Sequence, residues 1–239
     1  MTVVPYKEEQ SGKKEQVAKM FDNISGNYDF LNHFLSLGID IVWRKKAIRL
    51  LEVIKPKLIL DVATGTGDFA IEALRLNPDK VIGIDISEGM LDVGRKKMAA
   101  RKHHQIEMMT GDSENFPFEE NKFDAIIVGF GVRNFEHLEK GLAEMFRVLR
   151  PGGKVVILEF SKPTRFPFKQ LYNVYFNFIL PKIGRWISND KAAYTYLPES
   201  VQAFPDGERF ITQLSAIGYK EITCQPLTFG ISSLYTGIK

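Results

Sequence analysis

The spacing of three aspartates and two glycines is the feature of this chain that most directly indicates a chemical function. Asp61 precedes a short loop, DVATGTGDFA, that carries Gly65 and Gly67. Asp85 follows Gly65 by twenty residues, and Asp112 ends a later apolar run. The stretch GTGDFA fits G-x-G-x-x-A, in which the backbone approaches a nucleotide closely and a later acid accepts hydrogen bonds from its ribose. The spacing predicts a nucleotide-containing cofactor, although a glycine-rich turn without any ligand would read the same way.

The charges around this loop separate two kinds of cofactor. Asp61 ends a predicted strand and Asp68 begins the next helix, so a pyrophosphate bound between them would face carboxylates. A cofactor with a sulfonium and an ammonium group would instead be attracted to the same carboxylates. The pattern therefore favours S-adenosylmethionine over NAD, with Asp61, Gly65 and Asp85 among the binding residues.

These residues lie at the ends of short apolar runs that alternate with amphipathic helices. The runs occupy residues 57–63, 80–86, 105–112, 123–131 and 153–161. Alternation of this kind predicts β-α-β units and a parallel sheet with its ligand at the carboxyl ends of the strands. Two final runs, separated by FG and its neighbours, read as an antiparallel hairpin. We therefore expect an α/β fold with a mostly parallel, seven-stranded sheet.

The flanking segments complete a single domain that spans residues 1–239. Residues 1–56 read as a helical cover, residues 57–161 as the cofactor-binding core, and residues 205–239 as a terminal helix with the hairpin. Within the cover, a helix is expected over residues 13–37, with Gly38 as its stop. Asp40 is expected to cap a second helix, which Pro56 ends.

Residues 162–204 interrupt the alternation and form an aromatic, basic insert. They contain ten aromatic side chains, and from Lys162 to Lys191 six basic residues stand against one acid. Aromatic side chains suit a groove for an apolar tail, and cations such as Lys162, Arg165 and Lys169 suit anionic lipid headgroups. A lid packed over the site, with a solvated basic edge, would explain the same composition.

Composition excludes several classes of protein. The chain has 239 residues, is 44% hydrophobic and carries a net charge of +3, which is too small to suggest a nucleic-acid partner. Its only cysteine, Cys224, excludes a disulfide framework and fits a reducing cytoplasm. The N-terminus lacks a signal-peptide pattern, no apolar run is long enough to span a bilayer, and the four histidines lack metal-ligand spacing.

Longer stretches resemble one enzyme family. The pattern D-x-x-x-G-x-G at residues 61–67, with Asp85 ending the next strand, looks like the class I S-adenosylmethionine-dependent methyltransferase fold, which is Rossmann-like. Four stretches are similar to signatures of the ubiquinone/menaquinone biosynthesis C-methyltransferases. They are RVLRPGGKVVILEFS, FGVRN, the segment YD-x-x-N-x-x-x-S that starts at Tyr28, and the ending PLTFGISSLYTGIK. The resemblance implies contacts to S-adenosylmethionine from Thr66, Asp85, Asp112 and Ser113.

The resemblance also implies a reaction, the C-methylation of a polyprenylated hydroquinone. Demethylmenaquinol is the favoured acceptor, because Gly129 replaces a serine seen in some enzymes that resemble the ubiquinone branch. A ubiquinol precursor, or both quinols, is the first alternative. Methylation of another small acceptor and a catalytically inactive cofactor-binding partner in a biosynthetic complex are others. The expected partners are the quinol, the inner face of a membrane that the protein meets peripherally, and a second copy in a homodimer.

Such a reaction needs a group that stabilises a phenolate, because a ring carbon is a poor nucleophile while the neighbouring hydroxyl keeps its proton. Arg133 is the predicted cation, since it follows the fourth strand on the same rim as the cofactor loop. Asn134 is expected to orient Arg133 or the ring oxygen. Tyr28 is expected to bond a ring or cofactor oxygen, with Asn32 or His33 near the entrance. A structural salt bridge would account for Arg133 equally well.

Overall fold

A computed structural model describes residues 3–29, 36, 38–175 and 190–239. The predictions that concern residues 30–35, including Asn32 and His33, lie outside the described residues. The same holds for residues 176–189 of the aromatic, basic insert.

The described chain begins with helices and continues with alternating strands and helices. The helices are α1 (Lys13–Ile24), α2 (Ile39–Arg49), α3 (Asp68–Ala73), α4 (Glu88–Arg101), α5 (Leu138–Val148), α6 (Phe168–Val174), α7 (Lys191–Ala203) and α8 (Glu208–Ile217). The strands are β1 (Leu58–Val62), β2 (Lys80–Asp85), β3 (Ile106–Thr110), β4 (Phe123–Gly129), β5 (Leu149–Phe160), β6 (Lys220–Leu227) and β7 (Ser232–Ile238). Each predicted strand is present, with ends that differ by a few residues.

The strands form one sheet in the order β3-β2-β1-β4-β5-β7-β6. The first five pair in parallel, whereas β7 runs antiparallel between β5 and β6. The predicted seven-stranded sheet with an antiparallel C-terminal hairpin is therefore confirmed. Strand order reverses between β1 and β4, and an open α/β sheet binds its ligand outside the strand ends at such a point.

Alternating side chains of the central strands build a core on each face of the sheet. On one face, Leu60 and Ile126 pack with α5 and α8. On the other face, Ile59 and Ile127 pack with α2, α3 and α4. Adjacent residues of a strand point to opposite faces, so a strand buried on both sides reads as the continuous apolar run seen in the sequence.

A smaller third cluster joins the N-terminal helix to the insert. Val17 and Met20 of α1 pack against Tyr172 of α6 and Tyr196 of α7. The insert therefore covers the N-terminal helix as well as the strand ends. None of the described helices combines the length and apolar character that crossing a bilayer requires.

The structure corrects two expectations about the N-terminal helices. The first helix is interrupted: α1 ends at Ile24, the poor helix formers Ser25 and Gly26 follow in a 3₁₀ turn, and Tyr28 and Asp29 are helical again. Most of the remaining residues of this prediction lie outside the described residues. Asp40 is not an N-cap. Gly38 takes that place with a φ of 73°, which glycine adopts without steric cost, so Asp40 is already inside α2.

Asp40 instead forms an ion pair within the second helix. Its carboxylate accepts a hydrogen bond from Ser36 Oγ at 2.6 Å and pairs with Arg44 one turn later. A carboxylate in the first turn is also favoured by the helix dipole. The second helix ends at Arg49 rather than at Pro56, and turns occupy the residues between them.

Candidate active site

A pocket lies outside the carboxyl ends of the parallel strands, at the point where strand order reverses. The space that its lining surrounds, including solvent at the open mouth, is about 660 Å³. Each of the first four strands contributes the residues that follow it, and α1 with the turn after it contributes a further wall. The lining includes Lys14, Val17, Phe21, Tyr28, Ala63, Gly65, Asp85, Ile86, Gly111, Asp112, Ser113, Glu114, Gly129, Phe130, Gly131, Asn134 and Phe135.

Asp85 ties the glycine loop to the neighbouring strand. Its Oδ2 accepts a hydrogen bond from the backbone N–H of Gly65 at 2.8 Å, and its Oδ1 accepts one from Ser87 N at 2.9 Å. Gly65 has a φ of 56°, and Gly67 a φ of 83°. Burial raises the pKa of Asp85, and these backbone hydrogen bonds oppose the rise. The carboxylate lines the pocket and retains lone pairs that can accept from a ligand.

Asp61 lies beneath the loop and does not line the pocket. Its Oδ2 accepts a hydrogen bond from Thr64 Oγ1 at 2.6 Å. Its Oδ1 is buried and has no hydrogen-bond partner among the described residues. Burial raises the pKa of Asp61 to about 7, because the charged form has lost its water. A cation bound above the loop would favour the charged form.

Thr66 is buried and faces away from the pocket, toward the N-terminal segment. Its hydroxyl donates to Asp29 Oδ1, and its oxygen lies 3.1 Å from Lys97 Nζ. Lys97 also pairs with Asp68 at 2.8 Å. The side chain of Thr66 therefore has a structural task in this arrangement, and its predicted contact with a cofactor stays a prediction.

Asp112 and Ser113 line the pocket beyond β3, where the resemblance placed the adenine of the cofactor. Lys14 Nζ lies 2.6 Å from Asp112 Oδ2 and 3.5 Å from Glu114 Oε2. Glu114 is buried, and it also accepts hydrogen bonds from the backbone N–H of His137 at 2.9 Å. The N-terminal helix thus reaches this end of the pocket through one ammonium group.

Arg133 is held in a buried ion pair. Its Nη1 lies 2.9 Å from Glu159 Oε1 and also donates to the backbone oxygen of Phe130. Its guanidinium carbon is 5.4 Å from the centre of the Phe160 ring. Nε is buried and has no partner within the described chain. Arg133 does not line the pocket in this arrangement, so its catalytic role stays a prediction.

Asn134 and Tyr28 do line the pocket. The Nδ2 of Asn134 donates to Phe130 O at 3.3 Å, and its Oδ1 accepts from Tyr196 OH at 3.1 Å. Phe130, which also lines the pocket, has a φ of 59°, which is costly for a bulky residue and persists only where the surrounding structure imposes it. The structure thus brings Tyr28, Gly65, Asp85, Asp112, Ser113 and Asn134 together at the pocket, whereas Asp61, Thr66 and Arg133 lie behind its walls.

The N-terminal segment of residues 13–29, which we call the strap, is fastened to the loop after each of the first four strands. After β1, Asp29 accepts from Thr66. After β2, Asp22 Oδ1 accepts from Ser87 Oγ at 2.6 Å and from Gly89 N at 2.9 Å. The strap thereby also caps the start of α4.

Two lysines fasten the strap to the remaining loops. Lys14 pairs with Asp112 after β3. Lys13 Nζ donates to the backbone oxygens of Arg133 at 3.0 Å and Phe135 at 2.8 Å, after β4. Burial and the nearby charge of Arg133 lower the pKa of Lys13 to about 8. Four polar side chains of one segment therefore hold the four loops that shape the pocket.

Sequence reasoning did not identify the strap residues or Glu159. Lys13, Lys14 and Asp22 look like the solvated face of an amphipathic helix, because their partners are distant in the chain. Glu159 offered a weak signal, since it is a lone acid near the end of an apolar strand. A buried carboxylate needs a cationic partner, so Arg133 could have been predicted as the partner of Glu159.

The donor set fits a ligand that joins a nucleoside to cationic groups. Four carboxylates, those of Asp61, Asp85, Asp112 and Glu114, lie at or beneath the pocket, and Lys14 is the cation that lines it. The unpartnered oxygen of Asp61 adds to the negative potential. A pyrophosphate would be repelled here, whereas an ammonium and a sulfonium would be attracted.

Comparisons with known proteins agree with this assignment. The sequence model of the ubiE/COQ5 methyltransferase family matches residues 9–239. The demethylmenaquinone methyltransferase of Bacteroides fragilis is 50% identical over 99% of this chain and 97% of its own. The ubiquinone/menaquinone biosynthesis C-methyltransferase UbiE of Geotalea daltonii is 45% identical over 95% of this chain and 97% of its own.

Solved structures share the fold at low sequence identity. A putative S-adenosylmethionine-dependent methyltransferase from Methanococcus maripaludis superposes with a TM-score of 0.61, at 20% identity over 98% of this chain and 97% of its own. A S-adenosylmethionine-dependent methyltransferase from Thermotoga maritima gives a TM-score of 0.66, at 17% identity over 92% of this chain and 98% of its own. At these identities the likeness shows the class I methyltransferase fold.

Proposed function

The chain belongs to the ubiE/COQ5 methyltransferase family, and from that premise we propose that it methylates a ring carbon of a polyprenylated hydroquinone with S-adenosylmethionine. Demethylmenaquinol is the acceptor we favour, because the two relatives with 50% identity are named demethylmenaquinone methyltransferase. The observation that carries the proposal is the pocket at the strand ends, which both carboxylates and aromatic residues line.

The cofactor end of the pocket is assigned to the loops after β1, β2 and β3. Asp85 would accept hydrogen bonds from the ribose hydroxyls, and Asp112 with Ser113 would contact the adenine. The backbone of Gly65 and Thr66 would follow the cofactor chain, and the charge of Asp61 beneath the loop would favour its cationic groups. When bound, S-adenosylmethionine supplies a methyl group that its sulfonium has activated for transfer.

The acceptor end is assigned to Phe130, Asn134 and Tyr28, since all three line the pocket and combine aromatic rings with polar groups. An aromatic ring can pack against Phe130, while Asn134 and Tyr28 offer polar groups to its oxygens. Arg133 and Asn134 both donate to the backbone oxygen of Phe130, and the charge of Arg133 would stabilise a phenolate whose pKa is ordinarily about 10. Exclusion of water by the strap would strengthen that interaction.

A parallel assay of two acceptors tests the proposed function. Labelled S-adenosylmethionine is incubated with the full chain and either demethylmenaquinol or a demethylated ubiquinol precursor, both kept reduced. We expect the label on the naphthoquinol ring, with slower transfer to the benzoquinol. Equal transfer would assign both reactions to the protein. Cofactor binding by calorimetry without transfer to either acceptor would favour the inactive-partner alternative and contradict the proposal.

We propose further that the protein works in the cytoplasm as a peripheral protein on the inner face of the membrane, because its acceptor would carry an apolar tail held in a bilayer. The finding that no described helix is suited to crossing a membrane is compatible with this. A homodimer, also expected from the sequence, stays a prediction, and sedimentation equilibrium of the purified chain would test it.

A further inference from the structure

Exposed apolar side chains gather on α6 and on the 3₁₀ turn before β7. Phe166 is 80% exposed, and Phe229 is 65% exposed. Leu171 and Val174 of α6 are also exposed, and with Phe168 they recur every third residue, so they share one side of the helix. The Phe168 and Phe229 rings stack in parallel with their centres 3.7 Å apart, which joins the two segments into one surface. We call these five residues the apolar edge.

The turn that carries Phe229 is held in an unusual conformation. Thr228 has a φ of 42° and Phe229 a φ of 59°, a region that β-branched and bulky residues rarely adopt. Trp43 Nε1 of α2 donates to Thr228 Oγ1 at 2.8 Å and braces the turn from inside. Backbone strain of this kind persists where the surrounding structure imposes it. Here its effect is to present an aromatic ring to solvent.

The charges beside the apolar edge are basic. Arg165 and Lys169 are exposed next to Phe166 and Phe168, and residues 163–175 contain no acid. Residues 222–239, which include the turn, contain no acid either. Lys162, which the sequence suggested as a headgroup ligand, instead pairs with Asp206 at 2.9 Å. An apolar surface with cations at its border is complementary to a bilayer with anionic headgroups. The like charges oppose pairing with a second copy of the same face.

The apolar edge is one aromatic layer away from the pocket. Phe130 lines the pocket, and its ring centre is 6.1 Å from that of Trp43. Trp43 in turn bonds Thr228, next to Phe229. A tail attached to an acceptor in the pocket therefore has a short route to this surface, along aromatic groups.

We propose that the apolar edge is the surface by which this chain enters an anionic lipid bilayer, with Phe166, Leu171 and Phe229 inserted and Arg165 and Lys169 at the headgroups. The inference rests on the proposed function, since an acceptor with a polyprenyl tail is what makes contact with lipid necessary. It adds which face of the molecule meets the membrane.

Vesicle flotation of the full chain tests the inference. We expect wild-type protein to float with vesicles of phosphatidylcholine and phosphatidylglycerol, and much less with phosphatidylcholine alone. Phe166→Ser/Leu171→Ser, and separately Phe229→Ser, should lower the vesicle-bound fraction about tenfold. Arg165→Gln/Lys169→Gln should lower it on anionic vesicles and make it insensitive to salt.

Val53→Ser is the matched control, because Val53 is 88% exposed but precedes β1, at the opposite edge of the sheet from the pocket. It should float like the wild type. The inference is overturned if wild-type protein does not float, or if the apolar-edge variants float as well as the control. It is also overturned if Phe229→Ser converts a dimer to a monomer, which would identify a second copy as the occupant.

A second readout separates this inference from the proposed function. With a short-tailed, water-soluble acceptor, the apolar-edge variants should retain wild-type turnover, because none of the changed residues lines the pocket. With a long-tailed acceptor in vesicles, their turnover should fall with flotation. Wild-type protein that floats as expected but methylates neither acceptor would contradict the proposed function alone.

Discussion

Two buried aspartates at neighbouring strand ends have different surroundings, and these assign them different tasks. Asp85 lines the pocket and accepts backbone hydrogen bonds on both oxygens. Asp61 lies beneath the glycine loop with one oxygen unpartnered. The first is therefore placed to contact a ligand, whereas for the second we propose a role through the charge that a cation bound above the loop would favour. Arg133 is a third case, in which a predicted catalytic group is also half of a buried ion pair.

The Asp85→Asn variant should bind S-adenosylmethionine about tenfold to a hundredfold more weakly, because the loss of a charged acceptor costs about 1.5–3 kcal/mol. Calorimetry with the cofactor measures the change. Asp92→Asn on the exposed face of α4 is the control, since that carboxylate is 61% exposed. Unchanged affinity in Asp85→Asn would remove Asp85 from the cofactor site.

The raised pKa of Asp61 predicts a pH-dependent stability. Its pKa is about 7 in the folded chain and 3.8 as a model value, so folding favours the protonated form. The contribution of Asp61 to folding stability is fully present when the pH is below its pKa in the unfolded chain. It is lost as the pH rises through its pKa in the folded chain.

Between pH 5 and 8 the wild type should lose stability on the order of 2 kcal/mol as Asp61 gives up its proton. Asp61→Asn should lack this part of the loss, because asparagine has no such proton to lose. Urea unfolding of the cofactor-free wild type and of Asp61→Asn at several pH values measures it. If the two proteins gave parallel curves of stability against pH, Asp61 would be charged at every pH that was measured.

A double variant separates the structural and catalytic roles of Arg133. Arg133→Gln alone should cost about 3 kcal/mol of stability, because it leaves the Glu159 charge buried and unpaired. Arg133→Gln/Glu159→Gln should recover part of that loss, as measured by urea unfolding.

If Arg133 stabilises the phenolate, the double variant should still lose turnover while cofactor affinity is retained. Methyl-transfer assays and calorimetry on the same preparation measure the two quantities. A stable double variant with normal turnover would leave Arg133 with a structural role.

At the scale of elements, the strap and the sheet form the pocket together. A parallel sheet provides loops at its carboxyl edge but does not fix them with respect to one another. The strap does so with four polar side chains, and its apolar side packs Val17 and Met20 against the insert. Ligand exchange should therefore depend on how firmly the strap is held.

Asp29→Ala should loosen the strap at the glycine loop, because Asp29 pairs with Lys97 and accepts from Thr66. We expect faster amide exchange in residues 13–29 and a several-fold faster cofactor dissociation, with little change in global stability. Hydrogen exchange and stopped-flow binding measure these. Asp92→Ala serves as the control, and identical exchange in the two variants would show that the strap does not limit access.

At the scale of the whole molecule, local patterns predicted the sheet but not the surroundings of the pocket. The strands and the ligand edge could be predicted because their signals lie in nearby residues, namely runs such as residues 123–131 and the twenty-residue interval from Gly65 to Asp85. Lys14, Asp22 and Glu159 have partners that are far away in the chain, so no local spacing identifies them. Asp40 was misjudged because the conformation of one glycine decides where a helix begins.

The partners of the strap follow a regular order along the chain. Counting backward from Asp29, the bonds to Thr66, Ser87, Asp112 and Arg133 span 37, 65, 98 and 120 residues. During synthesis the strap is made before the loops that it contacts. The closer a strap residue lies to the N-terminus, the later in the chain its partner loop is made. Since the entropy cost of closing a loop rises with its length, the strap should close from Asp29 toward Lys13. Its apolar side packs against α6 and α7, so it stays uncovered until the insert has been made, which marks the N-terminal helix as the segment of the nascent chain most in need of protection.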